Sequence, residues 1–305
     1  MELTEFMRKL RERSVESFEN GICVLMESTE EEDVKFALSL SNERYDDVCS
    51  ELVRKTASTT TLKIFAKSDH WCIRVSVAEN TKTPKEVLMQ LAKDDEWQVR
   101  KAVAKNFNTP AEVFTELAKD GVWQVRNAVA KRISSSTPVE VFTELAKDDE
   151  WQVRKAVAKS FATPAEIFTE LAKDDEWPVR EAVAENASTP KEVLEQLARD
   201  DEWQVRKAVA KRSSRVTLVE VLAELAKDKS DGVREAVAEN AHTPKEILLK
   251  MVEDEDRWVR QGITDNLNAP TEALIKLAKD NDEVIRNIAV HILKYRQKDE
   301  EEVTL

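Results

Sequence analysis

Apolar residues along most of this chain fall into two short, alternating patterns. In Thr109–Ala118, TPAEVFTELA, the residues Val113, Phe114, Leu117 and Ala118 make one stripe at helical spacing, with polar residues between them. In Trp97–Asn106, WQVRKAVAKN, the residues Val99, Ala102, Val103 and Asn106 share one helical face, while Trp97, Lys101, Ala104 and Lys105 lie on the other. Both patterns predict short helices that fold by burying a stripe against a neighbour. Their limits are written in the chain. Thr-Pro-x-Glu recurs at Thr83, Thr109, Thr137, Thr163, Thr189 and Thr243. It predicts Thr as the helix N-cap, Pro at the first helical position and Glu closing a capping box. Asp120 is expected to cap the following helix, which begins near Trp123.

The pair of patterns is a unit that repeats. Anchored on the Arg of a Val-Arg or Ile-Arg pair, copies occur at Arg74, Arg100, Arg126, Arg154, Arg180, Arg206, Arg234, Arg260 and Arg286, spaced 26 or 28 residues apart. A fixed period on this scale predicts stacked repeats, each touching only its neighbours. The fold class is therefore all-α, an α-solenoid of about nine two-helix repeats. Residues 1–70 are read as a helical N-terminal cap with a degenerate repeat, residues 71–290 as the array, and residues 291–305 as a helix end with a frayed polar tail. Two loops, Arg132–Ser136 and Arg212–Val216, are longer by two residues than their counterparts and lie three repeats apart.

The segments Val179–Asn186 (VREAVAEN), Thr189–Leu194 (TPKEVL) and Leu197–Asp200 (LARD) together resemble the leucine-rich repeat variant family, a relative in style of HEAT and armadillo repeats. The resemblance extends over about 220 of the 305 residues. It implies a right-handed superhelix of two helical layers, one of which can be 3₁₀, and an interaction surface with no set chemistry. The family's founding type also has an N-terminal iron–sulfur domain. Cys23, Cys49 and Cys72 do not make a cluster motif, so that cofactor is not carried over, and no cofactor is expected.

Composition narrows the function. The net charge of −13 argues against bulk attraction to nucleic acid or acidic membranes, and no stretch approaches a membrane span. Three scattered cysteines fit reduced thiols and a cytoplasmic location. His70, His242 and His291 have no partner spacing for a metal or a triad, and no Gly-rich phosphate loop is present. Neither an enzyme nor a small-molecule substrate is expected.

Charge nevertheless segregates by layer. The windows Trp97–Phe107, Trp123–Ile133 and Trp151–Phe161 each carry three basic and no acidic residues, and Trp203–Ser213 carries four. The candidate binding surface is accordingly Trp97, Lys101, Lys105, Trp123, Lys131, Arg132, Trp151, Lys155, Lys159, Trp177, Trp203, Lys207, Lys211 and Arg212, with the two longer loops. Against this stands a structural reading in which each Trp tucks between the layers. The regular arginines are expected to form a ladder with acids such as Asp94, Asp148 and Asp174, and Asn80, Asn106, Asn186 and Asn240 to be buried amides that satisfy loops. The leading expectation is a scaffold that binds a protein. The alternative is DNA or RNA in a basic, Trp-lined groove. A DNA-glycosylase activity, known for some HEAT-like solenoids, is its remote extension.

Overall fold

The computed structural model describes residue 26 and residues 31–39, 46–212 and 219–303. The expected first helix, MELTEFMRKLRERSVESF, and loop residues Ser213–Val216 lie outside these. Every described element is an α-helix. The first are α1 (Glu31–Ser39), α2 (Asp46–Lys55), α3 (Thr59–Phe65), α4 (Trp71–Glu79), α5 (Lys85–Leu91), α6 (Trp97–Lys105) and α7 (Ala111–Leu117). They continue with α8 (Trp123–Ala130), α9 (Val139–Ala146), α10 (Trp151–Lys159), α11 (Ala165–Leu171), α12 (Trp177–Glu185), α13 (Lys191–Leu197) and α14 (Trp203–Lys211). The last are α15 (Val219–Leu225), α16 (Asp231–Glu239), α17 (Lys245–Met251), α18 (Arg257–Asp265), α19 (Thr271–Leu277) and α20 (Glu283–Val303). The chain forms two compact units, residues 1–153 and 154–305, each a stack of helix pairs.

The short helices begin one residue later than the sequence predicts and are fastened differently: Pro110, expected at the first helical position, is the N-cap, and no side chain, Glu112 included, makes a cap bond. Pro110 holds φ −61° and ψ 150° and directs the chain into α7. Thr109 does not cap that helix. Its hydroxyl donates to the Val103 carbonyl, 2.6 Å away in the last turn of α6, and Thr163 does the same to Val157 at 2.7 Å. With Pro between Thr and the helix, the side chain lies against the preceding helix end, whose last carbonyls have no intrahelical donor. Thr163→Val should therefore remove one of the two donors to the Val157 carbonyl, leaving Ser160 N–H at 3.0 Å, and cost about 1 kcal/mol in urea titration, whereas Thr163→Ser should cost less than half as much.

Each short helix ends in tight bonds, such as Lys93 N–H to Gln90 O at 3.1 Å and Asp94 N–H to Leu91 O at 3.2 Å. Bonds of the same span occur at helix starts, such as Val99 N–H to Glu96 O at 3.1 Å, but among the described residues both layers are α-helical. The Asp that follows turns the chain. Asp120 Oδ1 accepts the N–H of Val122 at 2.9 Å, just before α8 and not inside its first turn as expected of a cap.

The Trp-bearing helices bury more of their circumference than a single stripe. Val99, Ala102, Val103 and Ala104 are all buried, although Ala104 was expected on the outer face. A helix inside a stack has neighbours on two sides as well as the facing layer, so only a narrow strip with Trp97, Lys101 and Lys105 is left. The small side chains let α4, α6 and α8 approach closely in residues 1–153, and α12, α14, α16 and α18 in residues 154–305.

Two fastenings hold successive repeats. At one edge, Asn106 Nδ2 donates to Ala78 O at 2.6 Å and Asn80 O at 2.9 Å, while its Oδ1 accepts Asn108 N–H at 2.8 Å. Asn186, Asn240 and Asn266 repeat this in residues 154–305. At the other edge, Arg100 Nε and Nη2 bind Asp120 at 2.6 and 3.0 Å, and its Nη1 binds Asp94 O and Asp95 O at 2.7 and 2.9 Å. Arg180 makes the equivalent set with Asp200 and the Asp174 and Asp175 carbonyls.

The asparagine fastening also reaches back into residues 46–70. Asn80 Nδ2 reaches Val53 O at 2.7 Å and Thr56 O at 2.9 Å, and Leu62 and Phe65 are buried where Leu88 and Leu91 lie one repeat later. At the other terminus, α20 runs unbroken past residue 290 to Val303.

Candidate functional site

The strip left uncovered on the Trp-bearing helices is built from the residues that neither fastening uses. The tryptophans settle between the two expected states. Trp97, Trp123, Trp151 and Trp177 are half-buried, and Trp203 is 44% exposed. Each ring begins a helix, so one side covers the end of the core and the other meets water.

Lys101, Lys155 and Lys207 are half-buried, while Lys105, Lys131, Lys159 and Lys211 are exposed. In residues 1–153 the structure brings Lys101, Lys105, Trp123 and Lys131 around one open cleft of about 320 Å³. Gln124, Asn127, Ala128 and Gln152 complete its lining. Lys101 Nζ also lies 5.3 Å from the centroid of the Trp97 ring, a cation–π contact that keeps the ammonium at the strip.

In residues 154–305 the counterparts of Lys101 are paired with carboxylates. Lys155 Nζ pairs with Glu181 at 3.5 Å, and Lys207 Nζ pairs with Glu235 at 3.2 Å while lying 6.0 Å from the Trp203 ring. Burial, reinforced by Glu235, raises the carboxyl of Glu239, and Lys211 and Lys207 offset part of that rise.

Two residues of the expected contact surface do other work. Arg212 is buried, not exposed: Nη1 donates to Asn186 O at 2.6 Å and Nη2 to Ala187 O at 2.8 Å. Arg132 is half-buried, stacks 4.0 Å over the Phe107 ring and reaches Asn106 O at 3.4 Å. Burial lowers both guanidinium pKa values. Both stand 26 residues after an asparagine of the edge fastening, and they take its place where the following loop is lengthened. That spacing was the available signal. Of the lengthened loops, Ser134, Ser135 and Ser136 are exposed, and Ser134 N–H donates to Thr137 Oγ1 at 3.0 Å.

The regular arginines form the expected ladder and are unavailable to a polyanion. Burial alone would raise the Asp94 carboxyl, but Arg74 and the Glu96 N–H outweigh it and hold the carboxyl below its usual value. Asp228 and Asp280 are held down in the same way by Arg206 and Arg260. The partner carboxylate, Asp120, raises the Arg100 guanidinium.

Among the described residues, no group of His, Cys, Asp and Glu is placed to hold a metal ion. No helix among them is long and apolar enough to cross a membrane.

Comparison with known proteins agrees with this architecture. Residues 177–202 match the family model described as leucine-rich repeat variant. A solved structure described as a leucine-rich repeat variant with a novel repetitive protein structural motif is similar at 28% identity and a TM-score of 0.58, over 74% of this chain and 87% of that one. An engineered protein aligns at 17% identity and a TM-score of 0.36, over 90% of this chain and 98% of its own. A computationally designed armadillo repeat protein for modular peptide recognition aligns at 16% identity and a TM-score of 0.14, over 90% and 97%. No curated protein matches the chain. The chain is a helical repeat protein similar to leucine-rich repeat variants, and its all-α stacked-repeat fold is that of an α-solenoid.

Proposed function

We propose that this protein is a non-catalytic scaffold that binds a protein partner through the Trp- and Lys-bearing strip of its second helices. One observation carries the reading. Asn, Thr, Arg and Asp at the repeat's regular polar positions are engaged in holding repeats together, whereas Lys101, Lys105, Trp123 and Lys131 gather around an open cleft. Side chains not needed for folding that converge on a concave site are the expected material of recognition. The half-buried tryptophans add large, rigid contact area, of the kind that dominates binding energy. A cytoplasmic location, in keeping with the scattered cysteines, belongs to the same reading.

Nucleic acid is the second reading, because cationic groups beside an aromatic face also suit a phosphate backbone. Cross-linked capture from native extract separates them. We expect a partner that survives nuclease treatment and is lost on replacing Trp97 and Trp123 together by Ala, with the helical signal retained. Capture abolished by nuclease would overturn the protein reading, and loss of helical signal would place the ring pair in the core.

A further inference from the structure

Departures from the repeat concentrate at Trp123. In four other copies the Trp follows two acids, as in Asp95-Glu96, Asp149-Glu150, Asp175-Glu176 and Asp201-Glu202. Before Trp123 stand Gly121 and Val122. Nothing in the fold demands glycine there: among the described residues none has positive φ, and a Cβ on Gly121 would meet nothing within 4 Å. The two substitutions therefore remove negative charge beside the ring without an evident structural return.

A third departure opens space. The residue after the regular arginine is Lys101 in the copy before and Lys155 in the copy after, but Asn127 here. Asn127 is short and buried, and its Nδ2 donates to Gln152 O at 2.9 Å. The cleft described above borders this residue. Its lining carries three ammonium groups and no carboxylate. Among the described residues, no carboxylate pairs with Lys101, Lys105 or Lys131, in contrast to Lys155 and Lys207.

We propose that this cleft takes an extended acidic segment of the protein partner, with its carboxylates on Lys101, Lys105 and Lys131 and an apolar side chain against Trp123. The proposal rests on the protein-binding reading and names the partner's chemistry. Two features favour a peptide over a nucleic acid. Gln124 and Gln152 line the cleft. A peptide main chain supplies both N–H donors and carbonyl acceptors to such amides, whereas a phosphodiester chain supplies acceptors alone. The cationic cluster is also short, and the chain as a whole carries −13. Nucleic-acid affinity is built from many phosphate contacts along a track, and a partner with a few carboxylates needs no such track.

Fluorescence anisotropy on the full chain tests this with three labelled probes: a peptide of alternating Glu and Leu, its Gln and Leu counterpart, and an oligothymidine. The Glu peptide should bind best, and its affinity should fall with added salt. Replacing Lys101, Lys105 and Lys131 by Gln should weaken it about tenfold, the combined size of three partly exposed charge contacts. Gly121→Asp with Val122→Glu should weaken it comparably. That variant only restores the sequence of the other copies, so it keeps the test decisive even if the lysine variant misfolds. Equal binding of the Glu and Gln peptides overturns the acidic specificity and leaves the protein-binding reading intact. Unchanged affinity in both variants, or no binding of either peptide, overturns the site. Binding of oligothymidine alone, weakened by the variants, overturns the site and the protein-binding reading together.

Discussion

Asn106→Asp is expected to be among the most damaging single-atom changes this chain can undergo. The amide nitrogen of Asn106 donates to two buried carbonyls of the preceding repeat, Ala78 O and Asn80 O. A carboxylate in the same place offers only oxygen, so Ala78 O loses its donor, Asn80 O keeps only the Thr83 N–H at 3.1 Å, and both face a negative charge. Asn106→Ala should cost about 3 kcal/mol, near the sum of one unsatisfied buried carbonyl and one further lost hydrogen bond. At neutral pH the Asp variant should cost more, because an unpaired buried charge is added.

The two variants should also differ in pH dependence. Burial disfavours the charged form, so the introduced carboxyl has a folded pKa above its unfolded value of about 3.9. The extra cost is present above the folded pKa and is relieved as pH falls toward the unfolded value, since the protonated acid can donate one bond. Urea titrations at neutral pH and at about pH 5 would check this. An Asp variant no worse than Ala, with no pH dependence, would show that the amide is not the fastening. Hydrogen exchange should place the damage in the repeats adjoining residue 106, because the stack transmits stability chiefly between nearest neighbours.

Asp120→Ala ranks next, at about 3 kcal/mol, because it removes one partner of a largely buried ion pair and leaves the other in place. The side chains of Arg100 and Asp120 are 16% and 7% exposed. Arg100→Lys should recover little, since an ammonium cannot hold both oxygens of Asp120 and two backbone carbonyls in one plane. A Lys variant as stable as the parent would show that charge, not the planar fork, carries the rung.

The same rungs set the response to acid. Asp94, Asp228 and Asp280 have folded pKa values below their unfolded ones. Their contribution is therefore complete above the unfolded value of about 4 and is lost as pH falls through the depressed folded values. Helical signal should hold from neutral pH to about pH 4 and decline below it. A decline that starts well above that window would assign acid sensitivity to other groups.

Much of the framework was legible because it recurs. The Val-Arg pair, the Thr-Pro entry and the buried Asn each appear copy after copy, and their roles follow from the donors and acceptors they carry. The direction of the threonine bond was not legible. A hydroxyl can accept within its own helix or donate to the previous one, and only the placement of Val103 O against Thr109 decides between them. Ala104 was misplaced for a similar reason: periodicity sees one facing layer, whereas a stack has neighbours on both sides. Arg212 looked like surface charge because arginine usually is, although its register with Asn186 marked it as a substitute. The tryptophans were legible in position but not in exposure, since a ring at a helix start lies half in and half out. At the cleft the sequence displays Gly121, Val122 and Asn127 as departures, but their meaning requires the lysines that surround them in space.

The two edge fastenings also bear on how such a chain can change length. Joints fastened by asparagine use the same atoms from copy to copy, so duplication or deletion of a whole 26-residue block between them preserves the kinds of bond within the stack. Recombination between copies can therefore lengthen or shorten the protein without inventing a new interface. An insertion smaller than a block has no such protection and must be absorbed at one joint. The added pairs of residues follow Arg132 and Arg212, where a longer side chain spans to carbonyls that asparagine serves elsewhere. Copy number is thus the coarse adjustment of this fold, and exchange of one asparagine for arginine is the fine one.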